Sequence, residues 1–586
     1  MQQQPRDHTA HLIRTRRTQP SLPVNTLPTA PTIVPRQQNR AAPQPPVKKR
    51  LNLVRRAAWK LSCLGALLAI LYLALYPLLA GAIIHRDAAK QALYTVFPWL
   101  PRLYWTTWAP ILVQGLSRVP AFNLSRGAAS SYANLLCVLL ALAFVVLLFC
   151  ALTGNRVSKE KPSRWDVRLI FLVLFAFTAL FGVIFLLAPA LQTQDVFLYG
   201  AYGRIAAVAH LNPYVLQGSI ARATGGNAPY GPLWIDLTLP VALLTHGNVA
   251  DSVAGFRLLA LLAHLTNTIL IWSILSRLKP QMRISGTLFY AWNPVVLLLG
   301  ISEMHNDIVV VLLILLSIYC FQRKFFMLNW IFLLLAALIN ALCLLLLPLA
   351  LRQLWRESRS MRQGRRFLWW LAMLCLSAAI VVLTYFPYHQ GWGITGMLAS
   401  IGRTFLQDNA INSLNAALLH LPAASSPILS WITTAHHWMI LVALIVGILL
   451  LLGLWLADTL ELVLFFDSWI FLVLFMLAPV NWPWYILLPL ALAIASASRP
   501  TILLAILLAL GAALEYYFWL WPQAWPSIAL VTVGLPILVW GWTLFFTSTW
   551  HMAHARGEEQ PVKEPARGFS FSRPSWPSRP SWPRRK

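Results

Sequence analysis

The segment LIFLVLFAFTALFGVIFLLAPALQTQDVFLYGAYGR, residues 169–204, sets the organisation of this chain. Its first part, Leu169 to Leu191, is an apolar run long enough to cross a bilayer, which takes about 20 helical residues. Asp195 follows the end of this run, and the stretch continues to residue 215 with tyrosines, an arginine, a histidine and an asparagine. An ionisable residue where a span leaves the lipid is costly to keep without a role, so it indicates a functional site.

The composition places the chain in the membrane. It is 58% hydrophobic and 11% charged, with a mean hydropathy of +0.65. Soluble domains carry about 25% charged residues. A backbone in lipid must satisfy its own hydrogen bonds, which favours helices. The sequence therefore predicts an all-α polytopic integral membrane protein with about 12–14 transmembrane helices.

The net charge of +28 lies mainly in the tails and short loops. Residues 1–60 contain twelve Lys or Arg but a single acid, Asp7. This is the distribution of the positive-inside rule, and no nucleic-acid recognition motif accompanies it. We therefore predict a multi-pass protein of the cell membrane with both tails cytoplasmic, the lipid bilayer as a partner, and no nucleic-acid partner.

Three regions follow from composition. Residues 1–56 are a Pro- and Gln-rich basic stretch, predicted to be a disordered cytoplasmic tail. Residues 57–548 hold the spans and form the membrane domain. Residues 549–586 repeat SRPSWP and are predicted to be a second disordered basic cytoplasmic tail.

The apolar runs give an odd number of spans, whereas two cytoplasmic tails require an even number. The conflict lies between Arg323 and Arg352, where one run joins two loops that both appear cytoplasmic by charge. Either this region is broken into two short pieces, or the apolar segment 230–244, interpreted as interfacial or re-entrant, crosses the membrane.

The loop after Leu191 contains a candidate base. A hydroxyl that attacks a glycosyl, phosphoryl or acyl group must lose a proton, and Asp195 could accept it. Arg204 could bind a phosphate through its planar guanidinium. The structural alternative makes Asp195 a helix cap or a partner of Arg204.

A second polar group, EMHND at residues 303–307, lies between two apolar runs. By the charge rule this turn faces outward, so it can meet the loop that contains Asp195. Glu303, His305, Asn306 and Asp307 could orient an acceptor or hold a divalent cation. The alternative is a polar turn that caps two helices.

Two weaker candidates lie further along the chain. The external stretch 387–430 contains Arg403 and Asp408, although a loop of this length commonly contains such residues. The stretch PVNWPWYILLP, residues 479–489, contains Tyr485; its aromatics either anchor the interface or stack on a sugar. The sequence has no phosphate-binding glycine loop, HExxH or GxSxG motif, so a nucleotide-driven pump or a zinc protease is unsupported.

The order of several short motifs resembles the GT-C superfamily of polytopic glycosyltransferases, most closely the bacterial polyprenol-phosphomannose-dependent mannosyltransferases. The motifs are DVFLYGAYGR at 195–204, NPY at 212–214, YGPLW at 230–234, WNP at 292–294, EMHND at 303–307 and PWY at 483–485. The family commonly has a Lys before the Leu-Pro run that ends a later span, and here Asn340 occupies that place.

The resemblance implies an inverting membrane glycosyltransferase whose active site is formed by external loops. It would move a hexose, mannose favoured, from a polyprenyl-phosphate donor to a lipid-linked or cell-envelope glycan acceptor on the outer face. Asp195 would be the base and Asp307 a second catalytic residue, with a divalent cation possible at both and no cofactor certain. The substrate-binding residues would be Tyr199, Arg204, Asn212, Tyr214, Tyr230, Glu303, His305, Asn306, Arg403 and Tyr485. The alternative is a transporter or flippase of lipid-linked glycans, which should show internal repeats; none is clear in the sequence.

Overall fold

The computed structural model describes residues 47–86, 96, 128–159, 163–391, 393, 395–396, 413–419, 427, 431, 433–518 and 528–558. Most of the predicted external loops, including Arg403 and Asp408, lie outside these residues. The described residues are helical and contain no β-strand, which confirms the all-α polytopic fold. From Arg50 onward they belong to one compact unit.

In the described part of the chain, nine α-helices precede the Arg323 turn. They are α1 (Val47–Arg86), α2 (Ala128–Lys159), α3 (Arg164–Leu186), α4 (Asp195–Ala207), α5 (Gly218–Thr224), α6 (Pro232–Leu244), α7 (Val249–Leu278), α8 (Arg283–Ala291) and α9 (Asp307–Gln322) among the described residues.

The described part after the Arg323 turn contains a second set of nine. They are α10 (Phe326–Ile339), α11 (Leu347–Ser358), α12 (Gln363–Tyr385), α13 (Leu414–Leu419), α14 (Ala435–Leu456), α15 (Leu460–Leu477), α16 (Leu487–Ser496), α17 (Arg499–Phe518) and α18 (Leu535–Glu558). Within the described ranges, 7 helices are long and apolar enough to cross a membrane, or up to 8 with one bent pair counted as a span. Further apolar helices of 10–17 residues accompany them.

The helix ends differ from the predicted tails. Helix α1 begins at Val47, inside the segment predicted to be the N-terminal tail. Helix α18 extends to Glu558, beyond the predicted start of the C-terminal tail. An apolar span is recognised by its hydrophobic residues, whereas the helix continues into polar sequence on either side.

Trp292 joins three parts of the bundle. Its indole N–H donates to the Leu174 carbonyl at 3.1 Å and to the Thr178 hydroxyl at 3.2 Å, both on α3. The Tyr72 hydroxyl of α1 donates to the Trp292 carbonyl at 2.8 Å. The side chain is fully buried. Because Trp292 opens the WNP motif, these contacts hold the start of that motif against the helix that leads to Asp195.

The predicted span at 284–301 is broken at this motif. Helix α8 ends at Ala291, a π-helical turn covers Val296–Ser302, and the two pieces are bent by 52°. The Asn293 side chain accepts the Val295 N–H at 3.0 Å, and Pro294 has no N–H to continue the helix. The break turns the chain toward the 303–307 segment.

The predicted span at 328–350 is also broken, and the chain turns back at Asn340. Helix α10 ends at Ile339, a 3₁₀ turn covers Ala341–Leu346, and α11 follows. Asn329 and Gln353 line one cavity of about 40 Å³, although in a straight helix they would lie about 36 Å apart. The reversal at Asn340 adds one membrane crossing. It therefore supports the first explanation of the odd span count, in which the region between Arg323 and Arg352 is broken into two short pieces.

Candidate active site

The two polar groups recognised in the sequence meet in the structure. Asp195 is the first residue of α4, and its Oδ2 lies 3.3 Å from Nδ1 of His305 in the 303–307 turn. A carboxylate in the first turn of a helix is favoured by the helix dipole. The carboxylate therefore faces the imidazole.

His305 is held by aromatic stacking. Its ring lies 3.9 Å from the Trp484 ring at an interplanar angle of 10°, and Trp482 stacks on Trp484 at 5.1 Å. Its Nε2 is buried and has no hydrogen-bond partner among the described residues. The two tryptophans therefore fix the ring plane.

Asp307 lies deeper than Asp195. The Asp195 side chain is 25% exposed, whereas Asp307 is only 5% exposed. The Asp307 carboxylate interacts with the side chain of Asn340, and Asn340 Oδ1 accepts the Leu342 N–H at 3.1 Å. Asn340 thus connects the chain reversal to the site. Asp195 is the more accessible of the two carboxylates.

Tyr199 and Tyr230 pack beside the carboxylates. The Tyr199 hydroxyl accepts the Asn306 backbone N–H at 3.4 Å, and its ring meets that of Tyr230 edge to face at 5.0 Å. Burial, followed by the charges of Asp195 and Asp307, raises the pKa of Tyr199 well above its ordinary value. Its phenol is therefore protonated at neutral pH.

Asn212 and Tyr214 support Tyr230 on the side away from the carboxylates. Asn212 Oδ1 accepts the Tyr214 N–H at 3.0 Å, and the Tyr214 hydroxyl donates to the Tyr230 carbonyl at 2.6 Å. The Tyr214 ring packs edge to face against Tyr388, whose hydroxyl donates to Asp236 Oδ1 at 2.9 Å. In the structure these contacts hold the backbone of Tyr230.

The remaining predicted site residues are distributed differently. Arg204 lies nine residues after Asp195, which places it on the opposite face of α4, about 13 Å along the axis. Its Nη1 donates to the Gly247 carbonyl at 3.3 Å, so the structure does not bring it to Asp195. Tyr485 is half-buried and close enough to Tyr230 to influence its pKa. Arg403 lies outside the described residues.

Glu303 faces the protein interior. It is 1% exposed, and its carboxylate accepts the backbone N–H groups of Gln192 and Thr193 at 3.0 to 3.2 Å and the Thr193 hydroxyl at 3.3 Å. Burial raises the pKa of Glu303, while the Thr193 N–H lowers it. The carboxylate is therefore bound to the loop that precedes Asp195.

Sequence reasoning missed Arg257. This residue of α7 is fully buried, and its guanidinium donates to backbone carbonyls of the 186–190 segment and of Ser302. The available signal was a lone Arg within an apolar span, which is costly unless paired.

A divalent cation at Asp195 and Asp307 stays a prediction. Both carboxylates lie near His305. Among the residues that the structure describes, no group of three or more His, Cys, Asp or Glu side chains is placed to hold a metal ion. A bound cation would therefore need oxygen ligands from other side chains, the backbone or the substrate.

A comparison with known families gives a match within the segment that contains the candidate site. Residues 104–356 match the family model of the MptA_B family, described as alpha-(1->6)-mannopyranosyltransferase, N-terminal domain. The matched segment contains Asp195, the 303–307 turn and Asn340, whereas the PWY motif lies beyond it. No curated protein matches the chain.

Proposed function

We propose that this chain is a GT-C-type mannosyltransferase, because residues 104–356 match the alpha-(1->6)-mannopyranosyltransferase family model, and that it uses a polyprenyl-phosphate-linked mannose as donor. The acceptor would be a lipid-linked or cell-envelope glycan on the outer face of the cell membrane. Transfer would invert the anomeric configuration. The observation that carries this proposal is the contact between Asp195 and His305 where α4 follows a membrane span.

Asp195 is the proposed base. The acceptor hydroxyl oxygen forms a bond to the anomeric carbon as the bond from that carbon to the phosphate oxygen breaks. The hydroxyl proton passes to Asp195, and the polyprenyl phosphate leaves on the opposite face of the sugar with the bonding electrons. Phosphate is an adequate leaving group, so positioning and charge stabilisation matter more than an acid.

His305 supports the base. With its Nδ1 proton directed to Asp195 Oδ2, it orients the carboxylate and leaves Oδ1 for the acceptor. In that tautomer Nε2 is an acceptor. The neutral phenol of Tyr199 can donate to the same polar cluster.

A positively charged side chain would bind the donor phosphate. Arg204 points to the Gly247 carbonyl, so we assign this role to Arg403, which the sequence places in the external 387–430 stretch. The polyprenyl chain would lie between membrane spans, since it is as apolar as the lipid itself.

The donor can be tested with purified protein in lipid nanodiscs. We expect a polyprenyl-phosphate mannose to be consumed when a mannan-type acceptor is present. Polyprenyl-phosphate glucose and a nucleotide-linked mannose serve as controls for the sugar and for the lipid carrier. Consumption of the nucleotide-linked sugar instead would overturn the proposed donor class.

A further inference from the structure

Arg257 and Glu303 bind the two backbone segments that contain Asp195 and His305. We propose that these two side chains position the Asp195–His305 pair for transfer. We call the two side chains together the latch. This inference rests on the proposed function, in which that pair takes the acceptor proton. Both members are positioning residues because they bind the segments that lead to Asp195 and His305.

Arg257 donates hydrogen bonds to backbone carbonyls of both segments. Its Nε donates to Ser302 O at 2.7 Å, on the segment that leads to His305. Its Nη1 donates to Leu186 O at 3.1 Å and Ala188 O at 2.6 Å, and its Nη2 to Ala190 O at 3.4 Å, on the segment that leads to Asp195. A planar guanidinium can make these bonds together because its five N–H donors are fixed in one plane.

Glu303 connects the same two segments, starting from the one that contains His305. It lies next to Ser302 in sequence, and it accepts the N–H groups of Gln192 and Thr193, which lie just before Asp195. Arg257 and Glu303 also attract each other, which offsets part of the cost of burying two charges. Each segment is thereby tied to the other through side chains that water does not reach.

The latch has a catalytic consequence. An error of about 1 Å in the position of a reacting group can lower a rate about 100-fold. The 186–194 segment leads to the base, Asp195, and the 302–305 segment ends in the imidazole that orients it. Loosening the latch should therefore reduce turnover while substrate affinity changes little.

Arg257→Lys and Glu303→Gln test this with Arg277→Lys as the matched control. Arg277 lies on the same helix and also donates to a carbonyl, that of Gln322 at 2.9 Å. A lysine at 257 cannot reach all four carbonyls, and a glutamine at 303 brings its NH₂ group against backbone N–H donors. We expect kcat to fall about 10- to 100-fold in both test variants, with the donor KM within about threefold and the control unchanged. If kcat stayed within twofold of the wild type, or the loss were confined to KM, the latch would not position the pair.

Amide hydrogen exchange gives a readout that needs no turnover. The N–H groups of Gln192 and Thr193 should exchange about tenfold faster in Glu303→Gln and Arg257→Lys than in wild type or Arg277→Lys. Unchanged exchange would overturn the latch. If Arg257→Lys failed to fold, the near-isosteric Glu303→Gln would decide the question alone. If the wild type consumed no lipid-linked mannose but the exchange rates changed as expected, the proposed function would fail while the latch remained as a positioning device.

Discussion

The carboxylate of Asp195 and the imidazole of His305 lie 3.3 Å apart, although they come from two separate segments of the chain. One follows the span α3, and the other follows the break at Asn293 and Pro294. The break matters because a continuous helix would carry the 303–307 segment away along its axis. The candidate site therefore depends on a broken helix as much as on the residues in the motifs.

His305→Phe should lower kcat about 10- to 100-fold without unfolding the protein. Phenylalanine can keep the stack on Trp484 but cannot orient Asp195. The matched control is His437→Phe, since His437 stacks on Trp431 at 4.1 Å and is half-buried. Steady-state kinetics would measure the effect, and a wild-type kcat in His305→Phe would remove His305 from the mechanism.

Asn340→Leu should lower both stability and transfer. The substitution removes the acceptor for the Leu342 N–H and the amide beside Asp307, a loss of about 1–3 kcal/mol. Asn248→Leu removes another asparagine cap, which accepts the Ala250 N–H at 3.0 Å, and should leave kcat unchanged. Thermal unfolding and kinetics of both variants separate the two effects. Full transfer by a destabilised Asn340→Leu would limit Asn340 to a structural role.

Arg204→Lys should retain kcat and donor KM within about twofold. The Arg204 guanidinium donates to the Gly247 carbonyl, and an ammonium can make one such bond as well. The sequence alone suggested a phosphate contact, for which the lysine would lose the planar fork. A large rise in donor KM would therefore favour that phosphate contact.

Cysteine labelling tests the reversal at Asn340. Arg323→Cys and Arg359→Cys should react with a membrane-impermeant thiol reagent only after permeabilisation, because the chain turns back between them. Gln194→Cys, beside Asp195, should react in intact cells. The parent protein, which contains six cysteines, sets the background. Labelling of Arg323→Cys and Arg359→Cys from opposite sides would contradict the reversal.

The sequence predicts the fold class, and it predicts that the Asp195 loop and the 303–307 turn can meet, as they do in the structure. Apolar runs reveal the helices because a backbone in lipid must satisfy its own hydrogen bonds. Asp195 and the 303–307 turn stand out because acids are rare in this chain and burying an acid without a role is costly. The odd span count identified the region between Arg323 and Arg352 as irregular, and the structure places the break at Asn340.

Pairwise geometry could not be predicted in the same way. The direction of the Arg204 side chain depends on its position around helix α4 and on where Gly247 lies. The stack of Trp484 on His305 joins segments that are distant in sequence. Arg257 was missed because one arginine in an apolar run looks the same whether it binds substrate or backbone carbonyls. Only the folded backbone shows which carbonyls it meets.

Turnover by folded Asp195→Asn tests the central claim most directly. Asparagine keeps the size of the side chain but cannot take a proton, so transfer from polyprenyl-phosphate mannose should fall about 100- to 10,000-fold while donor binding is retained. The protein must be monodisperse in detergent, and Asp251→Asn, an exposed acid in the first turn of α7, is the control expected to behave as wild type. If Asp195→Asn turned over the donor within a few-fold of wild type, Asp195 would not be the base and the proposed mechanism would be wrong.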